Sequence, residues 1–112
     1  MAARQEVLIE TTRPDGSARK TRIWIVVDGD DVFVRSVRGE RGHWYQAAID
    51  APEAVAIHLD GRSIAARATL APDERSVDRC SAALRSKYRP GESLDSMIRP
   101  NVLETTLLIK PR

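Results

Sequence analysis

Cysteine, histidine and aromatic side chains are scarce in this chain of 112 residues: one cysteine, two histidines, and two Trp, two Tyr and one Phe. Cys80 has no second thiol to pair with, so an internal disulfide is excluded and a cytoplasmic setting is expected. His43 and His58 stand far apart and form no His-x-x-x-His pair, so no metal site is expected. No apolar run approaches the ~20 residues of a membrane helix, and the first ten residues lack the apolar core of a signal peptide. There is no Gly-x-Ser-x-Gly elbow. Cys80 falls on the apolar face of a helical pattern, as a core thiol does. The paired acids Asp30-Asp31 and Asp73-Glu74 sit in a turn and at a helix start. No catalytic residue can therefore be assigned. An enzyme built from this chain would leave the chemistry to a cofactor and supply grip and orientation.

Charge of one sign is also missing. Eighteen basic residues face sixteen acidic ones, a net charge of +2. The acids are interleaved with the bases, whereas nucleic-acid binders concentrate basic charge on one face. The one local excess is Arg35, Arg38 and Arg41. No repeat or low-complexity linker divides the chain, so residues 1–112 read as a single domain.

What is present is mostly strand. Val7 and Ile9 share one face of Glu6 to Thr12, and Pro14-Asp15-Gly16-Ser17 signals a turn. Arg22 to Val27 is nearly all apolar and reads as a central strand buried on both sides. Asp28-Gly29-Asp30 reverses the chain into Val32 to Arg35, which completes a three-stranded meander. After the arginine loop, Trp44 to Ile49 reads as a short helix ended by Pro52. Val55, Ile57 and Leu59 pair through an Asp60-Gly61 turn with Ile64, Ala66, Ala68 and Leu70. Pro72 opens the one long helix, to about Tyr88, with Val77, Cys80, Leu84 and Tyr88 on one face. Ser93 is expected to cap a short helical turn through Met97. Leu103, Thr105, Leu107 and Ile109 read as the last strand. The sum is mainly β: an antiparallel six-stranded barrel with one long helix and one or two short ones, closure removing exposed edges.

The segment from Val34 to Tyr45 carries the functional signal. A strand end, the glycines Gly39 and Gly42, and a helix start bring backbone N–H groups together where the helix dipole favours negative charge. Arginine adds bidentate phosphate contacts. The same residues also read as a solvated basic loop. Trp44 either walls a flat ring or pins its helix to the barrel. Trp24 reads as core. Lys87 either reaches a ligand phosphate or complements its helix dipole.

The markers Thr21-Arg22-Ile23-Trp24-Ile25-Val26-Val27, Val32-Phe33-Val34-Arg35-Ser36, Gly39, Trp44-Tyr45, Asp60-Gly61-Arg62 and Lys87-Tyr88, in that order, resemble the split β-barrel superfamily. It includes the pyridoxamine phosphate oxidases and the flavin- or deazaflavin-dependent oxidoreductases; the chain is most similar to a family of small uncharacterised proteins within it. The likeness runs from about Val7 to Ile109. It departs from the deazaflavin enzymes in placing His43 where they carry proline before the tryptophan. The resemblance implies a homodimer with flavin sites near the subunit interface. It implies FMN or a deazaflavin as cofactor. Ser36, Arg38, Gly39 and Arg41 are then phosphate contacts, Trp44 begins the covering helix, Thr21, Arg22 and Trp24 lie along the ring, and Lys87 is a further cofactor contact. Three functions stay open: an oxidoreductase using that cofactor, a non-catalytic carrier of a flavin or other anionic ligand, and a small barrel binding single-stranded nucleic acid, for which Phe33 and Arg35 on one face are the best support.

Overall fold

The computed structural model describes residues 6–59 and 61–111. Seven strands form one antiparallel sheet: β1 (Glu6–Thr12), β2 (Ala18–Trp24), β3 (Val26–Asp28), β4 (Asp31–Val34), β5 (Val55–Leu59), β6 (Arg62–Leu70) and β7 (Leu107–Pro111). The helices are α1 (His43–Asp50), α2 (Glu74–Lys87), α3 (Glu92–Ile98) and α4 (Pro100–Leu103), with a 3-10 turn at Gly39–Arg41. The strand order is β2-β1-β5-β6-β7-β4-β3. Residues consecutive in sequence therefore occupy the two opposite edges of the sheet. This is the mainly β, split-barrel class that the alternation predicts.

The seventh strand comes from the stretch expected to be one central strand. Arg22 to Val27 breaks at Ile25, and the meander separates into a β1–β2 pair and a β3–β4 pair. Ile23 and Ile25 are buried in the barrel interior, while Val26 is buried in a second core under α2. At the break, the Ile25 N–H donates to the Tyr88 hydroxyl at 3.3 Å. The Ile25 carbonyl accepts from that hydroxyl at 3.1 Å and from the Lys87 ammonium at 2.6 Å. Buried backbone polar groups need partners, and here side chains at the end of α2 replace the ladder.

The interior core alternates along the strands as period-2 patterning requires: Val7 and Ile9 of β1, Val55 and Ile57 of β5, Ala66 and Ala68 of β6, and Leu107 and Ile109 of β7, closed by Trp44, Tyr45 and Ala48 of α1. Ile64 and Leu70, expected to continue the β6 stripe, end up exposed near the strand ends. Outside the barrel, α2 lays Cys80, Leu84 and Tyr88 against Val26 and Phe33. Asp73 caps α2 by accepting the Ser76 N–H at 3.0 Å, which holds its carboxyl below the usual range. Arg79 fastens the same helix to the β3–β4 hairpin. It donates to the Asp28 carboxylate at 2.5 Å, the Asp31 carboxylate at 2.9 Å and the Asp28 carbonyl at 3.0 Å, and lies over the Phe33 ring.

Several boundaries differ from the expected ones: α2 begins at Glu74 and not at Pro72, and β4 ends at Val34 and not at Arg35. The residue capping α3 is Gly91, and Ser93 stands inside the first turn. Leu103 ends α4, and Thr105 sits in the turn before β7. The hydroxyls of Thr105 and Thr106 donate back to the Val102 and Leu103 carbonyls, at 2.6 and 2.7 Å, so they finish the helix and delay the strand. Asp60 of the expected Asp60-Gly61 turn lies outside the described residues; Gly61 takes φ 77°, the region glycine favours.

Candidate functional site

The site is built where β4 ends. Val34 pairs with Leu107, and the next two residues are seized by the threonines that precede β7. Arg35 is 1% exposed. Its guanidinium donates to Thr106 Oγ1 at 2.8 Å, to the Met97 carbonyl at 3.1 Å and to the Val77 carbonyl at 2.8 Å. All three acceptors are neutral. Burial accordingly lowers the Arg35 pKa, with Cys80 acting the other way. Thus the first arginine of the basic loop is a strut between β4, α2 and α3. Phe33, expected to share an accessible face with it, is buried under α2.

Ser36 donates its N–H to Thr105 Oγ1 at 3.1 Å, and its carbonyl accepts the Gly39 N–H at 3.0 Å. The chain then turns through Gly39, with φ 66°. A Cβ there would also stand 3.2 Å from the Asn101 carbonyl oxygen. At Gly42 a Cβ would fall 2.3 Å from Ser36 Oγ, so the glycine makes room for that hydroxyl. Ser36 Oγ is buried without a hydrogen-bond partner among the described residues, and so is Thr21 Oγ1. Buried polar atoms without partners are rare in folded proteins and each calls for a cause.

Both residues also line one cavity of about 470 Å³. Consecutive residues Thr21 to Trp24 line it on one side, so it runs along the edge of β2 and not over one of its faces. Among the described residues that edge has no partner strand, and alternate N–H and C=O groups of an edge strand point away from its neighbour. Arg35 to Arg38, Gly42 to Trp44, and Ser93, Ser96 and Met97 of α3 complete the lining. Four arginines line it, Arg19, Arg22, Arg35 and Arg38, and none of the described lining residues is acidic. In a chain with nearly balanced charge this is a concentrated positive field. Trp24 stands against Tyr88 with ring centroids 3.8 Å apart and planes within 7°. Trp44 packs edge-on to Tyr45.

Of the residues expected to contact a cofactor, Thr21, Arg22, Trp24, Ser36, Arg38 and Trp44 come together around this cavity. Gly39 shapes the loop behind it, Arg41 ends the 3-10 turn, and Lys87 is engaged with the Ile25 carbonyl; these three lie outside the lining. Sequence reasoning missed Arg19 and His43, although Arg19 is two residues from Thr21 on the same strand face. The Arg19 guanidinium lies 3.2 Å from His43 Nδ1. The α3 residues Ser93, Ser96 and Met97 carried no signal, because only the return of the chain beneath Arg35 brings them there. A second cavity of about 450 Å³ is lined by Arg13, Gln46 and Asp50, and shares Arg19 and His43 with the first. Among the described residues no group of three His, Cys, Asp or Glu side chains gathers as a metal site would require. Among the described residues no helix is long and apolar enough to cross a membrane.

The fold recurs in solved structures. The conserved hypothetical protein Rv2991 from Mycobacterium tuberculosis superposes with a TM-score of 0.78 at 17% identity, covering 99% of this chain and 75% of that one. A Listeria innocua protein provisionally named a pyridoxamine 5′-phosphate oxidase gives 0.68 at 18%, covering 97% and 85%. An F420-H2-dependent reductase, FDR-A, gives 0.67 at 18%, covering 96% and 95%. These likenesses establish the pyridoxamine phosphate oxidase-like split-barrel fold. No curated protein matches the sequence. One family model does, across residues 1–109. The chain belongs to that family, described as "Uncharacterized protein conserved in bacteria (DUF2255)".

Proposed function

We propose that this protein binds a flavin-type nucleotide, FMN or a deazaflavin, and works as an oxidoreductase with that cofactor. The observation that carries the reading is the cavity along the free β2 edge: four arginines, no described acid, and two buried hydroxyls without partners. A phosphate would answer the positive field and one of the hydroxyls. It accepts from Ser36 and from arginine, and its charge offsets the positive field. The donor set therefore fits such a group.

Ser36 and Arg38 would hold the phosphate, with Gly42 keeping space for the hydroxyl. Thr21 and the backbone edge of β2 would offer hydrogen bonds to a ring system, and Trp24, backed by Tyr88, a firm aromatic wall. Arg22 would favour negative charge on the ring. Gly39, Arg41 and Lys87 would act from behind, Gly39 through the loop's shape and Lys87 through the Ile25 carbonyl. When bound, the cofactor supplies the two-electron chemistry; the chain binds it, orients it and shields one side from water. A homodimer would cover the cavity's remaining side, a reading helped by a fold relative whose structure is described as a domain-swapped dimer.

The test is a fluorescence titration of the purified protein with FMN and with a deazaflavin, beside its visible absorption spectrum. Substituting Ser36 and Arg38 together by alanine should weaken binding by at least about a hundredfold, two charge-assisted bonds' worth. Equal affinity in the variant, or no binding by the parent chain, overturns the assignment. A non-catalytic carrier is favoured by one observation: Cys80, the chain's single thiol, is buried, and no described acid faces the cavity. Bound cofactor that a nicotinamide donor reduces and an acceptor reoxidises would exclude the carrier.

A further inference from the structure

Arg19 and His43 are the two residues common to both cavities, and they touch each other across the wall between them. Arginine has only donors, so His43 Nδ1 must be the acceptor of this bond. Such a bond requires the tautomer that carries its ring proton on Nε2. In this bond only the donor is charged; an anionic oxygen in the same place would give Arg19 a partner of opposite charge and a bidentate acceptor.

The surroundings of His43 point the same way. β2 presents Arg19 to it, with Arg22 further along. Arg38 lines the first cavity with it and Arg13 the second, and Glu40 and Arg41 lie in the 3-10 turn just before α1. Glu10 on β1 and Arg67 on β6 are occupied by His58 and Glu53. The acid of α1 itself is Asp50, seven residues on and so about 10 Å along the helix axis. Ser36, whose Oγ is buried and unpartnered among the described residues, lines the same cavity as the pair.

We propose that Arg19 and His43 form a proton-linked anion clamp, in which an oxyanion entering the cavity displaces the Arg19–His43 bond and is held by Arg19 and by protonated His43. The proton comes from solvent, and no covalent bond changes. Without an anion, protonating His43 would set two cations against each other; with one, both become donors to it. Binding and proton uptake are thereby coupled, and affinity rises as pH falls through the range where histidine changes charge. The clamp rests on the anion-binding reading of the cavity but does not require that the anion be a flavin.

Sulfate is a suitable probe, because it does not titrate between about pH 5 and 8. His43 and His58 are the chain's only histidines, so their ring resonances are readily told apart by NMR with a His58→Gln control. Saturating sulfate should move the titration of His43 upward and leave His58 in place. Sulfate should bind about tenfold more tightly near pH 5.5 than near pH 8, one unit of linkage. His43→Gln should abolish that pH dependence while the protein remains folded by circular dichroism. An unmoved His43 titration in the parent chain, or sulfate affinity independent of pH, overturns the clamp without recourse to any variant. Repeating the titration with FMN separates the two readings. FMN that binds while neither it nor sulfate moves His43 overturns the clamp and leaves the flavin reading standing. Sulfate that moves His43 while FMN fails to bind does the reverse.

Discussion

The Tyr88 hydroxyl accepts the N–H of Ile25 and donates to the carbonyl of the same residue, across 63 positions of sequence. One side-chain oxygen thus stands in for a strand at the point where β2 gives way to β3. Tyr88→Phe keeps the ring on Trp24 and removes only this oxygen. The Ile25 N–H is then left buried and unpaired. The expected loss is about 1–3 kcal/mol, read as a lowered urea midpoint with unchanged slope.

Arg35 offers a sharper test of what the basic loop is for. Its three hydrogen bonds end on neutral oxygens inside the protein. Arg35→Met should destabilise the fold by about 3 kcal/mol or more, because Thr106, Met97 and Val77 lose their donor together. Arg38→Met should leave thermal stability within about 0.5 kcal/mol, as surface changes do, while weakening anion binding. Thermal melts with and without sulfate separate the two.

Gly42 and Ser36 should be coupled. Gly42→Ala places a methyl against Ser36 Oγ and should destabilise the loop. Ser36→Ala removes that oxygen and should rescue much of the loss, giving an interaction energy of about 0.5–3 kcal/mol in a double-mutant cycle. The double variant should fold yet bind sulfate less tightly than the parent, since the hydroxyl is gone.

Cys80 should be inert in the native state. It is fully buried beside Phe33, and burial pushes its thiol up to about 11 from 9.0. Alkylation by iodoacetamide near pH 8 should proceed only as fast as the protein opens. The sign of the linkage follows. The folded state keeps this proton longer than the unfolded state, so the contribution is complete below about pH 9 and is lost toward about pH 11. Tyr45, also raised, first by burial and then by Glu40 and Glu104, pushes in the same direction. Equilibrium unfolding across that window should show falling stability; Cys80→Ala should flatten the fall.

These residues also show what was legible in the sequence. The Val7–Ile9 alternation and the Cys80–Leu84–Tyr88 stripe are local periodicities, and the fold obeys them. The break at Ile25 is not local, since an apolar run looks the same whether it continues or splits, and its cause sits at the far end of α2. Arg35 likewise reads as a loop cation until Thr106 and the Met97 carbonyl arrive beneath it. The cavity was half legible: Thr21, Trp24, Ser36 and Arg38 belong to neighbouring segments, whereas Ser93 and Met97 reach it only through the chain's return. His43 was visible beside Trp44 but meant nothing without Arg19 opposite.

The outer position of β2 in the sheet has another side. An open row of backbone donors and acceptors is a template for a foreign strand, and proteins guard such rows with charge. The Arg19-Lys20-Thr21-Arg22 run that flanks the cavity lies on that edge. The same cations would thus guard against aggregation as well as recruit an anion, and neutralising them to abolish binding would also remove the guard. Variants at these positions are best compared at low concentration, where loss of a ligand and loss of solubility can be told apart.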